Sequence, residues 1–87
     1  MEDKIRAFVL SVLQEKMHLP INPETITDNV LLGQGGVDLE SLAFVELTAH
    51  VEHEFGVKFT DAAFEKLAGA TLGDFSREVV SMMSARG

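Results

Sequence analysis

The spacing of the apolar residues constrains the fold of this chain more than any other feature. From Asp3 to about Met17 apolar side chains recur every three or four residues, which places them on one face of an α-helix. The same spacing returns from Ser41 to Phe55, and we expect Gly56 to end that helix in a left-handed conformation. It recurs in a short stretch from Asp61 to about Leu67, and again after Thr71 and Asp74, which have the spacing of a capping box. We therefore predict an all-α fold, a small helical bundle of three main helices and one short helix.

The length of the chain is that of a single domain. Its 87 residues can close one hydrophobic core, so we expect one domain over residues 1–87 and no deep, walled active site of the kind many enzymes have. The sequence contains no cysteine, which excludes disulfides and thiolate metal sites. Apolar packing must therefore hold the fold together.

A long loop separates the first two predicted helices. Pro20 and Pro23 cannot continue the first helix, because proline lacks a backbone donor and biases the preceding residue away from helical geometry. The loop runs to about Leu39 and carries too many apolar residues for a free linker, so we expect it to pack along the bundle. Its Gly33–Gly36 segment lacks the ending of a phosphate-binding loop, and we interpret these glycines as a flexible element. Loops of this length in compact domains are usually functional.

The charge balance of the chain is strongly acidic. Lys and Arg total 7 against 14 Asp and Glu, a formal net charge of -7. This charge repels phosphate backbones and anionic lipid and attracts proteins with basic patches, so we expect protein partners and neither nucleic acid nor membrane. The acidic start lacks the pattern of a secretory signal, and no stretch has the length of a membrane span. We expect a cytoplasmic protein.

The predicted second helix has two apolar faces. One suits the core and is formed by Phe44, Leu47, Val51 and Phe55. A small bundle can hardly bury a second apolar face as well, so we expect that face to contact partner proteins. Acidic residues flank it and would orient a basic partner. The predicted docking residues are Asp38, Glu40, Leu42, Val45, Glu46, Ala49 and Glu52.

The start of this second helix resembles the motif of acyl and peptidyl carrier proteins, over Val37–Leu47. In that family a Gly-x-Asp-Ser-Leu segment opens the second helix, and its serine carries 4′-phosphopantetheine. The long first loop, the short third helix and the segment Phe55–Asp61 are also similar, so the resemblance covers nearly the whole chain. It implies that Ser41 is the attachment site. Glu40 stands where the family most often has Asp, and Ala43 where many members have a polar residue.

The resemblance also implies what the chain does. It would hold acyl or aminoacyl and peptidyl intermediates as thioesters on a phosphopantetheine arm derived from coenzyme A, and deliver them to enzymes of fatty acid, polyketide or nonribosomal peptide biosynthesis. The implied partners are a phosphopantetheinyl transferase and an acyltransferase, ketosynthase or adenylating enzyme. We expect a discrete, monomeric carrier. We also expect it to catalyse nothing itself, because serine is a weak nucleophile without a base fixed beside it.

The residues at the helix start also make chemical sense without the family. Ser41 lies in the predicted first turn, where unpaired N–H groups and the positive end of the helix dipole favour an attached phosphate. Asp38 and Glu40 would repel an incoming anion, so we interpret them as groups that start the helix and as docking residues.

Other interpretations of these residues stay open on the sequence alone. A serine at a helix start is most often an ordinary cap, and an unmodified Ser41 would make the chain a small acidic helical module for protein–protein interaction. A minimal hydrolase using Ser41 and a histidine lacks a credible oxyanion loop. His50 and His53, with Glu46 and Glu54 near them, could hold a metal ion, but such a set is more often a solvated helix face, and we expect no metal.

Overall fold

Four α-helices form the framework of the residues that the structure describes, which are 2–22, 24–33 and 35–85 of a computed structural model. The predicted all-α bundle with one short helix is confirmed, although a π-helical segment forms the end of the predicted first helix. Within the described ranges, no helix is both long and apolar enough to cross a membrane. The elements are α1 (Glu2–Ser11), the π-helical segment (Val12–Lys16), α2 (Ser41–Phe55), α3 (Asp61–Leu67) and α4 (Leu72–Ala85).

Local geometry explains where α2 ends and α3 begins. α2 ends at Phe55 because Gly56 adopts the left-handed conformation, with φ at 68°, and its N–H donates to the carbonyl oxygen of Glu52. α3 begins after Thr60, whose hydroxyl oxygen accepts a hydrogen bond from the N–H of Ala63 at 3.1 Å. The left-handed stop at Gly56 and the short third helix agree with the sequence prediction.

The start of α4 has the predicted cap. The hydroxyl oxygen of Thr71 accepts a hydrogen bond from the N–H of Asp74 at 3.1 Å. The Arg77 guanidinium donates a hydrogen bond to the Asp74 carboxylate and so lowers the pKa of that carboxyl. The negative charge of Asp74 therefore persists at lower pH beside the positive end of the helix dipole.

The core is built around the phenylalanine rings of α2, α3, α4 and the α2–α3 loop. Phe75 of α4 is fully buried, and its ring centroid lies 5.7 Å from that of Phe59 and 6.1 Å from that of Phe44. Phe64 of α3 lies edge-on to Phe44, also at 6.1 Å. Aromatic pairs at these separations add about 0.5–1.5 kcal/mol to the stabilisation from buried area alone.

The predicted core face of α2 is confirmed. Phe44, Leu47 and Val51 are buried, and Phe55 at the end of the helix packs edge-on against Phe8 of α1 with ring centroids 5.4 Å apart. This face therefore fixes the rotation of α2 about its own axis. The opposite face of α2 points away from the bundle.

The loop between α1 and α2 packs along the bundle, as predicted. Leu32 is buried in the core with 1% of its surface exposed, and its N–H donates to the carbonyl oxygen of Ala70 at 3.1 Å. The N–H of Leu72 donates in return to the carbonyl oxygen of Val30 at 2.9 Å. The second half of the loop, residues 29–40, is thus hydrogen-bonded to the turn between α3 and α4 and to the first residue of α4.

Each end of this loop has a non-glycine residue in the left-handed conformation, and the described ranges contain no others. His18, with φ at 56°, follows the π-helical segment, and Asp38, with φ at 63°, precedes α2. This conformation costs a residue with a Cβ atom about 1–2 kcal/mol. Around His18, the N–H groups of Met17 and Leu19 donate to carbonyl oxygens of the π-helical segment, each at 2.9 Å.

Candidate functional site

Ser41 is the first residue of α2, and its side chain is exposed. The first backbone bond of the helix runs from the N–H of Phe44 to the carbonyl oxygen of Glu40 at 2.8 Å. Among the described residues, the N–H groups of Ser41, Leu42 and Ala43 have no hydrogen-bond partner. An accessible hydroxyl therefore stands beside free N–H groups at the positive end of a 15-residue helix, which suits an attached phosphate.

Glu40 occupies the position of a helix cap without capping through its side chain. Its backbone is extended, with φ at -79° and ψ at 169°, and its carboxylate makes no cap hydrogen bond within the part of the chain described. The prediction that Glu40 starts the helix is therefore right for the backbone position only. Its charge remains exposed next to Ser41.

Asp38 does not belong to the helix start, contrary to the interpretation from sequence. It lies in the loop, and its carboxylate accepts a hydrogen bond from the N–H of Gly35 at 3.0 Å. Its own N–H donates to the carbonyl oxygen of Gly33 at 2.9 Å. The reason is its left-handed backbone, which turns the chain before α2 can begin.

The glycines of this loop allow close packing, whereas the sequence suggested flexibility. A Cβ atom on Gly36 would lie 1.9 Å from the carbonyl oxygen of Leu31, so no side chain fits at this position. A Cβ atom on Gly33 would lie 2.9 Å from the carbonyl oxygen of Ala68, at the end of α3. Gln34 lies outside the described residues. The loop is thus held against its own backbone and against α3.

A groove of about 470 Å³ opens beside Ser41, between the start of α2 and α3. Its walls are mainly apolar, and the carboxyl-bearing residues Glu40 and Glu65 also line it. A group attached to the Ser41 hydroxyl could lie along this groove or extend into solvent. The lining residues are Gly33, Leu39, Glu40, Ser41, Phe44, Val45, Phe64, Glu65 and Ala68.

The outward face of α2 contains the apolar residues that we predicted for docking. Leu42 is 84% exposed and Val45 is 50% exposed, high values for residues of this size. Ala49 and Glu46 are exposed on the same helix. Because Leu42, Val45 and Ala49 are spaced by three and four residues, they form one strip on this face.

Glu52 stands apart from the other predicted docking residues. Its carboxylate is half-buried and accepts a hydrogen bond from the N–H of Phe59 at 2.8 Å. This contact ties the loop after α2 back to the helix. No sequence signal marks the contact, because the two residues lie seven positions apart across the turn at Gly56. Its role in docking remains a prediction.

The histidines of α2 do not gather into a metal site. His50 is half-buried and His53 is exposed. Over the ranges that the structure covers, no group of three or more His, Cys, Asp or Glu side chains is placed to hold a metal ion.

Charge is distributed unevenly over the molecule. No Lys or Arg occurs between Lys16 and Lys58, a stretch that includes the whole long loop and α2. The basic residues belong to α1, α3, α4 and the segments next to them. The stretch of chain that includes Ser41 therefore carries acidic residues and no Lys or Arg.

A comparison with protein families gives the same assignment as the motif. The family model described as phosphopantetheine attachment site matches residues 7–79, from α1 to α4. The comparison with curated proteins found no matching sequence. Because the family match covers most of the chain and its helices, the chain belongs to the family of phosphopantetheine-binding carrier proteins, whose members bind 4′-phosphopantetheine covalently.

Proposed function

We propose that Ser41 is the attachment serine of this carrier, and that the chain holds acyl or aminoacyl and peptidyl intermediates for fatty acid, polyketide or nonribosomal peptide biosynthesis. The observation that supports this most is the exposed Ser41 hydroxyl at the start of α2, beside unpaired N–H groups and the groove. The terminal thiol of the bound arm would supply the thioester chemistry. The chain itself would position the arm and present it to enzymes.

Loading of Ser41 needs a separate enzyme. The hydroxyl oxygen attacks the phosphorus on the pantetheine side of the coenzyme A pyrophosphate, a phosphodiester forms, and adenosine 3′,5′-bisphosphate leaves. The proton of the hydroxyl must pass to a base. Since no described side chain is hydrogen-bonded to Ser41, we assign that base to the phosphopantetheinyl transferase. The unpaired N–H groups of the first turn would stabilise the negative charge of the new phosphodiester.

The outward face of α2 is the proposed contact with partner enzymes. Leu42, Val45 and Ala49 provide a small apolar strip, and the exposed carboxylate of Glu46 lies beside it. Charge speeds the encounter and orients the partner, whereas a small apolar contact keeps the complex weak enough to separate. A carrier that must leave each enzyme after delivery needs both properties. The proposed partners are a transferase and then an acyltransferase, ketosynthase or adenylating enzyme.

The test of this function is the intact mass of the protein after incubation with coenzyme A and a broad-specificity phosphopantetheinyl transferase. The unmutated chain should gain one phosphopantetheinyl group, and Ser41→Ala should gain none while keeping the helical circular dichroism spectrum. Ser81→Ala, at an exposed serine of α4, is the matched control and should load fully. Modification of Ser41→Ala would show that the arm is attached elsewhere. An unmodified parent would favour the acidic interaction module.

The contribution of the α2 face is tested by the rate of loading. Val45→Asp and Glu46→Lys should each slow the reaction without unfolding the domain, and added salt should slow the parent. Ala7→Asp places the same charge on an exposed position of α1 and should leave the rate near that of the parent. Equal rates for all variants at every salt concentration would remove the docking role from this face.

A further inference from the structure

We propose that Asp38 is a positioning residue for the loading of Ser41, because its carboxylate holds the loop backbone that presents the serine. The inference rests on the proposed function of Ser41. It changes the role predicted for Asp38 from sequence, since a carboxylate bonded to its own loop differs from one that is free to meet a basic enzyme.

The backbone at Asp38 shows why this position needs support. Its φ of 63° is unfavourable for most residues with a Cβ atom, and aspartate and asparagine tolerate it better than others. Asp38 stands three residues before the serine, where the carrier-protein motif Gly-x-Asp-Ser-Leu has its glycine. This chain therefore has a left-handed residue with a side chain at the position where the motif has a glycine.

The side chain and the backbone of Asp38 each make a hydrogen bond to the glycine segment of the loop. The carboxylate of Asp38 accepts from the N–H of Gly35 at 3.0 Å, and the N–H of Asp38 donates to the carbonyl oxygen of Gly33 at 2.9 Å. The next residue continues the arrangement, because the N–H of Leu39 donates to the carbonyl oxygen of Leu32 at 2.9 Å. Both groups of Asp38 thus hold the glycine loop, and Leu32 ties that loop to the core.

The held loop also forms one side of the groove beside Ser41. Gly33 lines the groove together with Leu39, and Gly33 approaches the end of α3 so closely that a Cβ atom would lie 2.9 Å from the Ala68 carbonyl oxygen. Loss of the contact between Asp38 and Gly35 would make this side of the groove and the residues leading into α2 more mobile. The transferase would then meet Ser41 in many loop conformations, and it would have to select one.

Three substitutions separate the positioning role from a docking role. Asp38→Asn removes the charge but keeps an oxygen that can accept from Gly35 and a residue that tolerates the left-handed turn. Asp38→Gly keeps the turn but loses the acceptor, and Asp38→Ala loses both. Glu46→Gln removes one negative charge from the exposed face of α2 and serves as the charge control.

The experiment measures kcat/KM for loading by the transferase over a salt series, at a temperature where circular dichroism shows every variant folded. Hydrogen exchange of the Gly35 amide, measured by NMR before loading, reports the contact directly. We expect Asp38→Ala to lower kcat/KM about tenfold, Asp38→Gly to lower it less, and Asp38→Asn to restore a rate within about twofold of the parent with the same salt response. Gly35 should exchange faster in the Ala and Gly variants only.

Two results would overturn the inference. If Asn, Gly and Ala variants were equally slow and lost salt dependence as Glu46→Gln does, Asp38 would be a docking charge. If Asp38→Ala lowered the unfolding temperature but loaded at the parental rate, its role would be purely structural. A parent that gained no mass would instead refute the proposed function and with it the role of Asp38, while Gly35 exchange would still show whether the contact exists.

Discussion

The loop between α1 and α2 has a non-glycine residue in the left-handed conformation at each end, but its two halves are held differently. At the first end, His18 is left-handed and its imidazole has no hydrogen-bond partner among the described residues. At the second end, Asp38 is left-handed and its carboxylate accepts from Gly35. Leu32 in the second half is hydrogen-bonded to the turn between α3 and α4, and the two halves meet near Asp28, whose carbonyl oxygen accepts from the N–H of Gly73 in α4 at 2.9 Å.

The difference shows where this chain needs a defined backbone. Near His18 the loop leaves the end of the first helix, and Leu19 and Ile21 are only partly buried against the core. Near Asp38 it has to deliver Ser41 at the start of α2 with a groove beside it. The left-handed residue before Ser41 differs from His18 because its own side chain and its N–H bond to the loop, at Gly35 and Gly33.

The largest expected effect comes from adding a Cβ atom at Gly36, where the neighbouring backbone leaves no room for one. In Gly36→Ala the new Cβ atom would meet the Leu31 carbonyl oxygen at 1.9 Å, and backbone cannot rotate out of the way as a side chain can. The second half of the loop must open, so we expect a loss of about 3–5 kcal/mol in the free energy of unfolding. Urea denaturation followed by circular dichroism measures it.

The matched control for Gly36 is Gly69→Ala. A Cβ atom at Gly69 would have no neighbour within 4 Å in the described structure, so we expect a change below about 0.5 kcal/mol. Equal stability of the two variants would mean that the second half of the loop is not closely packed.

The next effect compares one leucine from each half. Leu32 is buried and Leu19 only partly, so Leu32→Ala should lower the free energy of unfolding by about 3 kcal/mol and Leu19→Ala by about 1 kcal/mol. The two urea midpoints measure the difference. Similar losses at both positions would show that the two halves are anchored equally, against the comparison drawn above.

A smaller effect that differs between the two left-handed residues is expected. His18→Gly relieves an unfavourable φ, and the imidazole that it removes makes no hydrogen bond to the described residues. We therefore expect the free energy of unfolding to rise by about 0.5–1 kcal/mol. Asp38→Gly relieves the same conformation but loses the bond to Gly35, so its stability should not rise. Stabilisation of both variants by the same amount would show that the carboxylate contributes nothing.

The smallest effect concerns the ion pair that ties the middle of the loop to α1. The Arg6 guanidinium lies 3.3 Å from a carboxylate oxygen of Asp28, and both side chains are partly exposed. A double-mutant cycle with Arg6→Met and Asp28→Asn should give a coupling of about 0.5 kcal/mol that disappears in high salt. A coupling above about 1.5 kcal/mol at high salt would contradict the view that the core contacts of the second half anchor the loop.

Much of α2 could be predicted because its signals are local. The apolar spacing set its core face, and Gly56 set its end, so the prediction of Ser41 to Phe55 matches the observed bounds. The same spacing predicted that Leu42 and Val45 would remain exposed. A periodic pattern reports which face of a helix is buried, and a small bundle leaves little choice about the rest.

The contacts of the acidic side chains could not be predicted in the same way. The carboxylate of Asp38 accepts a hydrogen bond from the N–H of Gly35, and that of Glu52 accepts one from the N–H of Phe59. Both bonds depend on the conformation of a loop. Charge alone gave Asp38, Glu40, Glu46 and Glu52 the same interpretation as docking groups, and it could not distinguish their contacts. The tight packing of Gly36 also depends on a loop conformation that no periodicity encodes.

The hydrogen bond from Leu32 to Ala70 has a consequence for the order in which the protein is made. During synthesis, Ser41 emerges well before Ala70 and Leu72, on whose backbone the loop before the serine is fixed. A nascent chain that ends before these residues has the serine but not the support for its loop. If Ser41 carries the arm as proposed, its presentation depends on residues 70–72 as well as on its own loop. A transferase that needs this geometry would then modify chains that extend past these residues in preference to shorter ones.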